Sequence, residues 1–323
     1  KKTAFGPKFG QGSALYEHHT TSLVFNDPPL HTRVRRIMTA ALTPKALARM
    51  EPGLIDVVDQ LLDTMPREPD LIDDFAATIP VQIIGNLLDV PMAERGPLRD
   101  WSLAILGALE PTLTQTQLEQ GNRAVSEFKT YLQDLIARRK ATPGDPDTDV
   151  LTRLIFGDSH GELTENELIH NCIFTLNAGH ETTTNLIGSS LALLHDHADQ
   201  RSKLARDPSL ITSCIEEVLR FRSPNQFGNR ETTRPVAIGG YEIPAGTNLH
   251  LCIGAANRDP EVFDNPTQFD ITRHPNLTLA RMEGRIAIDR FLKKYPKFSL
   301  SPSRTYGRRI RFHGPAHLPT RLF

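Results

Sequence analysis

One stretch near the middle of the chain, CIFTLNAGHETTTNLIG at residues 172–188, constrains the fold more than any other. Large apolar residues flank it at helical spacing on both sides, which predicts a long buried helix. Glu167 stands three residues after Thr164 in a capping-box arrangement, so we expect the helix to begin at Thr164 and to run to about Leu194. At ~1.5 Å per residue it would span roughly 45 Å, the width of a whole domain.

The centre of this helix is polar. Between Asn177 and Asn185 the chain has no large apolar side chain, and Glu181 and Thr182 would fall near the middle of the molecule. A buried polar group without a partner costs roughly 2 to 7 kcal/mol, so these side chains must face something. Gly179 weakens the helix by about 1 kcal/mol relative to alanine and lets a flat object approach the backbone. A groove over a planar cofactor accounts for the stretch, and a helix crossing through small residues with solvated threonines accounts for it equally well.

His180 and Glu181 also begin the zinc-protease motif H-E-x-x-H. Position 184 is threonine, where that motif requires its second histidine. A zinc protease is therefore excluded, and we assign no metal ligand in this stretch.

Composition narrows the possible classes further. Of the 323 residues, 39% are hydrophobic, and 37 Lys and Arg against 38 Asp and Glu leave a net charge of −1. The chain is therefore globular, and its overall charge favours neither nucleic acid nor an anionic membrane. The three cysteines, Cys172, Cys214 and Cys252, are widely spaced in apolar surroundings, which predicts reduced core thiols and a cytoplasmic protein.

The start of the chain and its apolar runs bear on targeting. No apolar run reaches the length of a membrane helix, and no signal peptide opens the sequence. The sequence begins at Lys1 without an initiator methionine, so we expect a further amino-terminal segment to precede it.

Helical periodicity dominates the rest of the sequence, which predicts a mainly α fold with small β-sheets. No stretch resembles an interdomain linker, so we expect a single domain over residues 1–323. An exposed loop is expected at 137–149. Helices are predicted at 43–65, 72–90, 117–141 and 209–224, and strand-like material is confined to 234–260 and 307–323.

Two shorter stretches carry charges at helical spacing. In EEVLR, Glu217 and Arg220 lie three residues apart and can form a charge-assisted pair, although an exposed pair of this kind is worth little. In HTRVRR, His31 and Arg35 share one helix face. Two cationic donors on one face suit a carboxylate, and a solvated basic helix is the alternative interpretation.

The order of the stretches is more specific than any one of them. The chain contains, in this order, HTRVRR, AGHETT, EEVLR, NRETTRPVAIGGYEIPAGT, ANRDPEVFDNPTQFDITR and LARMEGRIAI. Over residues 26 to 300 this set resembles the cytochrome P450 family of haem-thiolate monooxygenases. The resemblance implies a triangular, α-rich single domain with a long central helix, a buried haem b, and insertion of one oxygen atom from O₂ into an organic substrate. ANRDP and FDITR are similar to the soluble bacterial branch.

The resemblance implies roles for the polar centre of the long helix. Ala178 and Gly179 match the groove beside the haem and O₂, Glu181 matches the acid of the proton-delivery pair, and Thr182 matches the hydroxyl that stabilises the oxygen intermediate. O₂ activation consumes two electrons and two protons, so a buried site of this kind needs a hydroxyl and a titratable carboxyl linked to water.

The resemblance also assigns the cationic residues. His31, Arg35 and Arg230 match positions that hold the haem propionates. Arg33 and Arg36 point away from the face that His31 and Arg35 share, and would lie near the surface that receives an acidic ferredoxin. For the pair formed by Glu217 and Arg220, the resemblance implies a structural role, with Arg273 as the third member.

The resemblance breaks at one place. Members of the family carry a loop of the form F-x-x-G-x-x-x-C-x-G before the LAR helix, and its cysteine thiolate is the axial iron ligand. Here DITRHPN passes directly into LTLARMEGR, and none of the three cysteines stands in such a loop. Either residues with a fourth cysteine are omitted between Asn276 and Leu277, with a haem-free or disordered proximal side, or the chain is a variant that lost its ligand. The intact AGHETT stretch favours omission.

Two functional hypotheses follow. The first is a haem monooxygenase that acts on a small apolar or amphipathic molecule, with electrons from a ferredoxin and its reductase. The second is a non-catalytic helical binding protein on the same scaffold, without thiolate-ligated haem. The segment WSLAILGALEPTLTQ at 101–115 is expected to line part of the pocket, but it has no polar group that identifies a substrate.

Overall fold

The computed structural model describes residues 2–42, 44–146, 149–157, 161–273, 281–307 and 309–323. The chain forms two compact units. The first contains Lys1–Thr64 and Ala77–Glu181, and the second contains Met65–Ala76 and Thr182–Phe323. We describe each unit by itself, and the single domain over 1–323 stays a prediction.

The first unit is mainly helical in its described part. Its core is formed by apolar side chains of its two longest helices and of the shorter helices around them, including Phe128, Leu132 and Ile173. Its helices are α1 (Lys2–Phe9), α2 (Ala14–Thr21), α3 (Leu30–Ala41), α4 (Pro44–Thr64), α5 (Thr78–Leu87), α6 (Leu98–Gly107), α7 (Gln115–Ala141), α8 (Val150–Phe156) and the first half of α9 (Glu165–Asp196).

The second unit combines helices with short two-stranded antiparallel sheets, in which β1 pairs with β4, β2 with β3, β5 with β8 and β6 with β7. Its helices are the rest of α9, α10 (Ala198–Arg206), α11 (Ile211–Phe221), α12 (Ile253–Ala256) and α13 (Arg281–Lys294). Its strands are β1 (Phe227–Glu231), β2 (Val236–Ile238), β3 (Tyr241–Ile243), β4 (Asn248–Cys252), β5 (Phe298–Leu300), β6 (Thr305–Tyr306), β7 (Pro315–His317) and β8 (Thr320–Leu322).

The capping box predicted at the start of α9 is present. The amide of Glu167 donates to Thr164 Oγ1 at 3.3 Å, and the amide of Thr164 donates to Glu167 Oε2 at 3.0 Å. These two bonds satisfy amides that a helix start otherwise leaves without partners. Residues 183–194 of α9 are buried without interruption, as the flanking apolar pattern predicts.

Three secondary-structure predictions differ from the structure. The loop expected at 137–149 begins only after α7, which extends to Ala141. The single helix predicted at 72–90 is divided into a π-helical segment, Ile72–Ala76, and α5, because side-chain oxygens of Asp70 and Asp74 accept the amides of Ile72 and Asp70. The strand prediction missed β1, β5 and β6, which lie outside 234–260 and 307–323. β1 has the sequence FGNRE, in which no alternation of apolar residues marks a strand.

Among the described residues, no helix combines the length and the apolar character needed to cross a membrane.

Candidate active site

Helix α9 has one accessible face in the middle of its length. Phe174, Thr175, Ala178, Gly179 and Thr182 are half-buried or exposed there, whereas the residues between and around them are buried. Their spacing of one, three, one and three residues places them on one side of the helix. Ala178 and Gly179, which the sequence predicts beside the cofactor, both lie on this face.

Gly179 has a packing reason to be glycine. A Cβ atom at this position would lie 2.6 Å from Cδ1 of Ile84, which belongs to α5 in the same unit. Real Cβ atoms essentially never approach another atom so closely, so any larger residue would require Ile84 to move. The backbone of α9 is therefore left uncovered on the accessible face and tightly packed beside it.

Glu181 and Thr182 are directed to different sides of α9. Consecutive helical residues project about 100° apart, and the structure accordingly leaves Thr182 half-buried on the accessible face while Glu181 is buried, with 8% of its surface exposed. The Glu181 carboxyl and the Thr182 hydroxyl are thus adjacent in sequence but project toward different sides of the helix. Such an arrangement can move a proton from the flank toward the open face.

The next residue, Thr183, has a partner that the sequence analysis missed. Its Oγ1 donates to Oε2 of Glu283 at 2.8 Å, and burial raises the pKa of that carboxyl above its ordinary value. Glu283 lies in the first turn of α13. A Cβ at Gly284 would lie 3.0 Å from Leu186 Cδ2, so α13 begins directly against α9. In the sequence, Glu283 is simply an acidic residue near a helix start, which is common and gives no sign of its contact with Thr183.

His31 and Arg35 lie together on α3. They line a surface cavity of about 480 Å³, and Arg36 lines the same cavity, contrary to the prediction that it points elsewhere. Arg35 and Arg36 follow His31 by four and five residues and both lie within one broad stripe of the helix, which explains why Arg36 lines the same cavity. Arg35 is exposed and His31 is half-buried.

Arg33 has partners that the sequence analysis did not identify. Its guanidinium forms an ion pair with Glu167 and donates to the carbonyl of Glu162 at 3.1 Å. Arg33 is therefore paired with a carboxylate at the beginning of α9, while its side chain stays 39% exposed. Arg230, the third predicted propionate ligand, belongs to the second unit, where it is exposed on β1 and donates to the carbonyl of Asn229 at 2.8 Å.

Glu217 and Arg220 form a fully buried pair in the second unit. Arg220 Nε and Nη2 each donate to one carboxylate oxygen of Glu217 at 2.7 Å. Arg273 Nε lies 3.4 Å from Glu217 Oε2, so the three-residue network implied by the resemblance is confirmed. Arg220 also donates to three backbone carbonyls, which makes this network a brace for the loop that contains them. Those carbonyls belong to Asn257, Pro266 and Gln268.

Two of the three cysteines are buried thiols, which does not favour binding of iron. Burial raises the pKa of the Cys172 and Cys214 thiols to about 12, so both are neutral thiols at physiological pH. Cys252 is exposed on β4, so the prediction of a core thiol is wrong at that position, where one face of a two-stranded sheet is open. The predicted join between Asn276 and Leu277 lies outside the described residues.

The described residues fit a haem in two respects. The accessible face of α9, with Ala178 and Gly179 at its centre, offers backbone without bulk to a flat ring. His31 and Arg35 offer donors on one helix face that match the chemistry of a carboxylate. A further cavity of about 790 Å³ lies between α6 and α7 and includes Trp101 from the predicted pocket segment, but none of the predicted site residues lines it.

Comparison with known proteins identifies the relatives of this chain. The family model described as Cytochrome P450 matches residues 106–278. The "Biotin biosynthesis cytochrome P450" of Bacillus subtilis (strain 168) is 35% identical over 295 residues, which cover 86% of this chain and 74% of that protein. The "Vitamin D(3) 25-hydroxylase" of Pseudonocardia autotrophica is 36% identical over 301 residues, which cover 87% of this chain and 72% of that protein.

Solved structures show the same similarity. The structure of P450BioI in complex with an acyl carrier protein ligated to hexadec-9Z-enoic acid matches with a TM-score of 0.91 at 33% identity, over 96% of this chain and 84% of that chain. The structure of CalO2 also matches with a TM-score of 0.91, at 28% identity, over 100% of this chain and 85% of that chain.

Proposed function

This chain belongs to the cytochrome P450 family, and on that premise we propose that it oxidises a small apolar or amphipathic molecule with electrons from a ferredoxin and its reductase. Members of this family are haem monooxygenases, and haem b supplies the activation of O₂ when it is bound. The observation that carries the proposal is the accessible face of α9, on which Ala178, Gly179 and Thr182 lie together.

Each residue of the site has a role that its position supports. Ala178 and Gly179 leave space for the flat face of the cofactor. Glu181, buried at the flank of that space, holds a proton, and the Thr182 hydroxyl on the open face passes it on and orients the water that delivers it. Because Glu181 is shielded from bulk solvent, it limits how freely protons reach the site.

We propose that His31, Arg35 and Arg230 bind the carboxylates of the cofactor. His31 and Arg35 are supported by their shared cavity on α3. Arg230 is supported by its position in β1 and by its exposed guanidinium, which is a strong donor to carboxylates.

The names of the relatives support the substrate class. They include a vitamin D(3) hydroxylase, a 6-deoxyerythronolide B hydroxylase and a protein bound to a carrier that holds hexadec-9Z-enoic acid. Vitamin D(3), 6-deoxyerythronolide B and hexadec-9Z-enoic acid are each a largely apolar carbon skeleton with a few oxygen atoms. An apolar or amphipathic molecule of this kind is therefore the class that we propose.

The electron donor is proposed from charge. Arg36, which the resemblance implies near the surface that receives a ferredoxin, is exposed on α3, and an exposed cation attracts an acidic partner of this kind. We also propose a cytoplasmic location, which the free and buried thiols of Cys172 and Cys214 support.

The proposal is tested first by haem binding. Full-length protein supplied with haem should take it up and give, after reduction and addition of carbon monoxide, the absorption band of a thiolate-ligated haem. A protein that stays colourless after haem supplementation would favour the non-catalytic binding protein instead.

Replacement of Thr182 tests the site itself. Thr182→Ala should keep substrate binding but divert reducing equivalents to hydrogen peroxide, with product per NADH falling on the order of tenfold or more. Thr175→Ala is the matched control, because Thr175 lies on the same face and its Oγ1 donates within the helix to the carbonyl of Asn171 at 2.8 Å. If both variants couple NADH oxidation to product as the wild type does, the role of Thr182 is wrong.

A further inference from the structure

Three buried polar residues of α9 form a row along one flank of the helix. His170, Asn177 and Glu181 are separated by seven and four residues, so their side chains project within about 40° of one another. His170 is 0% exposed, Asn177 5% and Glu181 8%. We call these three residues the polar row, and all of them belong to the first unit.

The polar row contains hydrogen-bonding atoms without protein partners. Among the described residues, Nδ1 of His170 and Oδ1 of Asn177 have no hydrogen-bond partner, and Nε2 of His170 has only the contact with Glu17 Oε1 at 3.5 Å. Buried polar atoms in folded proteins are almost always bonded to something. Internal water is the usual partner where protein atoms do not serve, and it is hydrogen-bonded to about three groups. Water molecules along the polar row are therefore the expected partners of His170 and Asn177.

One end of the polar row reaches charged groups that are in contact with solvent. His170 Nε2 lies 3.5 Å from Oε1 of Glu17, which belongs to α2. Glu17 in turn accepts from Nζ of Lys129 at 2.9 Å, and the side chains of Glu17 and Lys129 are 37% and 29% exposed. Protons can thus exchange with bulk water at Glu17 and be passed to the adjacent imidazole.

The surroundings of His170 keep it neutral at physiological pH. Burial lowers its pKa, an effect that Glu17 partly opposes and Lys129 reinforces. The imidazole of His18 has its centroid 5.6 Å away, and burial together with His19 and His170 holds its pKa well below the ordinary value. A neutral imidazole has one donor nitrogen and one acceptor nitrogen, so it can take a proton on one side and release one on the other.

We propose that the polar row is a hydrated proton-uptake route from the ion pair of Glu17 and Lys129 to Glu181, with His170 as its relay and Asn177 as the residue that positions its water. This inference rests on the proposed role of Glu181 as the proton-holding acid. A proton enters from bulk water at Glu17, one ring nitrogen of His170 accepts it, and the other nitrogen releases a proton to water. Water held by Asn177 Oδ1 then protonates the Glu181 carboxylate, and no bond other than O–H and N–H bonds changes.

The dimensions of the helix agree with such a route. Glu181 lies eleven residues after His170, a distance of about 16 Å along the helix axis. The longer gap, from His170 to Asn177, is about 10 Å, which roughly three water molecules can bridge at hydrogen-bond spacing. Asn177 and Glu181 are one turn apart, so one water molecule can contact both side chains.

Three variants of the haem-loaded enzyme test the route. His170→Gln keeps a polar side chain but cannot take up and release a proton, and Asn177→Leu removes the acceptor that positions water. Glu181→Gln is the reference, and His195→Gln near the other end of α9 is the matched histidine control. The measurements are product formed per NADH, the solvent deuterium isotope effect and their dependence on pH.

We expect His170→Gln and Asn177→Leu to lower coupling on the order of tenfold at pH 8, with a larger solvent isotope effect and with a smaller loss at pH 6, where protons are more abundant. A readout independent of turnover is a high-resolution structure of the wild type, which should show ordered water within hydrogen-bond distance of His170 and Asn177. Circular dichroism and haem content verify folding, and Asn177→Leu carries the test if His170→Gln does not fold.

The outcomes separate this inference from the proposed function. If His170→Gln and Asn177→Leu match the His195→Gln control while Glu181→Gln is impaired, the route is wrong and the role of Glu181 stands. A wild-type structure with no water along the polar row would likewise overturn the route. If Glu181→Gln itself couples as the wild type does, the proposed role of Glu181 fails.

Discussion

Replacing Arg220 by alanine should destabilise the second unit severely. The side chains of Arg220 and Glu217 are both 0% exposed, and the guanidinium makes five hydrogen bonds, two of them to the Glu217 carboxylate. After the substitution, the carboxylate keeps the amide of Asp270 at 2.9 Å and the ion-pair contact with Arg273 at 3.4 Å. It would thus remain buried with most of its charge compensation removed.

The expected magnitude follows from these contacts. Breaking a buried ion pair by removing one partner typically costs about 3 to 5 kcal/mol. The three backbone carbonyls that lose Arg220 add to this cost, but their contributions are not additive with it. With a urea m-value of about 3 kcal/mol/M, the unfolding midpoint should fall by about 1 to 1.7 M. The haem-loaded protein should therefore fail to accumulate during expression.

The assay is urea unfolding followed by circular dichroism, together with the haem content of purified protein. Lys293→Ala is the control, because Lys293 forms an exposed pair with Asp289 at 2.7 Å, and such pairs contribute about 0.3 to 0.5 kcal/mol. Combining Arg220→Met with Glu217→Leu should recover part of the loss, since no buried charge of the pair then remains. An Arg220→Ala midpoint equal to that of Lys293→Ala would refute the reasoning.

Three further predictions concern packing and pH. Gly179→Ala should lower the free energy of unfolding by about 1 kcal/mol, because its Cβ would meet Ile84, and adding Ile84→Val should restore it in urea titrations. Burial raises the pKa of Glu283, so the folded protein keeps a proton that the unfolded chain releases above about pH 4.5. The free energy of unfolding should therefore fall as pH rises through the folded pKa. Glu283→Gln should flatten this slope in unfolding titrations across pH. Burial lowers the pKa of His18, so stability should fall as pH drops below about 6.5, and His18→Phe should reduce that loss, measured as the unfolding midpoint at pH 7 and pH 5. A slope unchanged in either pH variant would contradict the corresponding prediction.

Patterns of neighbouring residues in the sequence correctly predicted the helix that carries the site. The start of α9 follows from a capping box that involves Thr164 and Glu167, and its length follows from apolar periodicity, both of which depend on neighbours within a few residues. The shared position of His31 and Arg35 likewise follows from their spacing of four. What local rules could not give is which partner each side chain meets, and for that reason the ion pair of Arg33 with Glu167 was missed.

Patterns of neighbouring residues in the sequence also could not predict whether a single side chain is exposed or buried. Cys252 has apolar neighbours in the sequence and is nevertheless exposed, since burial of a strand depends on what covers its sheet. Glu217 and Arg220 show the opposite case. Their spacing predicts a pair whether it is exposed or buried, and its energetic importance appears only once backbone carbonyls from distant residues close around the guanidinium.

The polar centre of α9 shows how angle turns a short sequence into three separate environments. Glu181, Thr182 and Thr183 follow one another, and each projects about 100° from the last. The first is buried on the flank of the polar row, the second lies on the accessible face, and the third donates to Glu283 of α13. A sequence of one carboxyl and two hydroxyls thus gives three side chains that project in different directions from one helix. Because burial raises the pKa of Glu283 whereas Glu181 ends the proposed proton-uptake route, we expect only Glu181 to exchange protons at the rate that turnover demands. Glu283→Gln should accordingly leave product per NADH unchanged while Glu181→Gln lowers it, and an equal loss in both variants would show that the two acids act together.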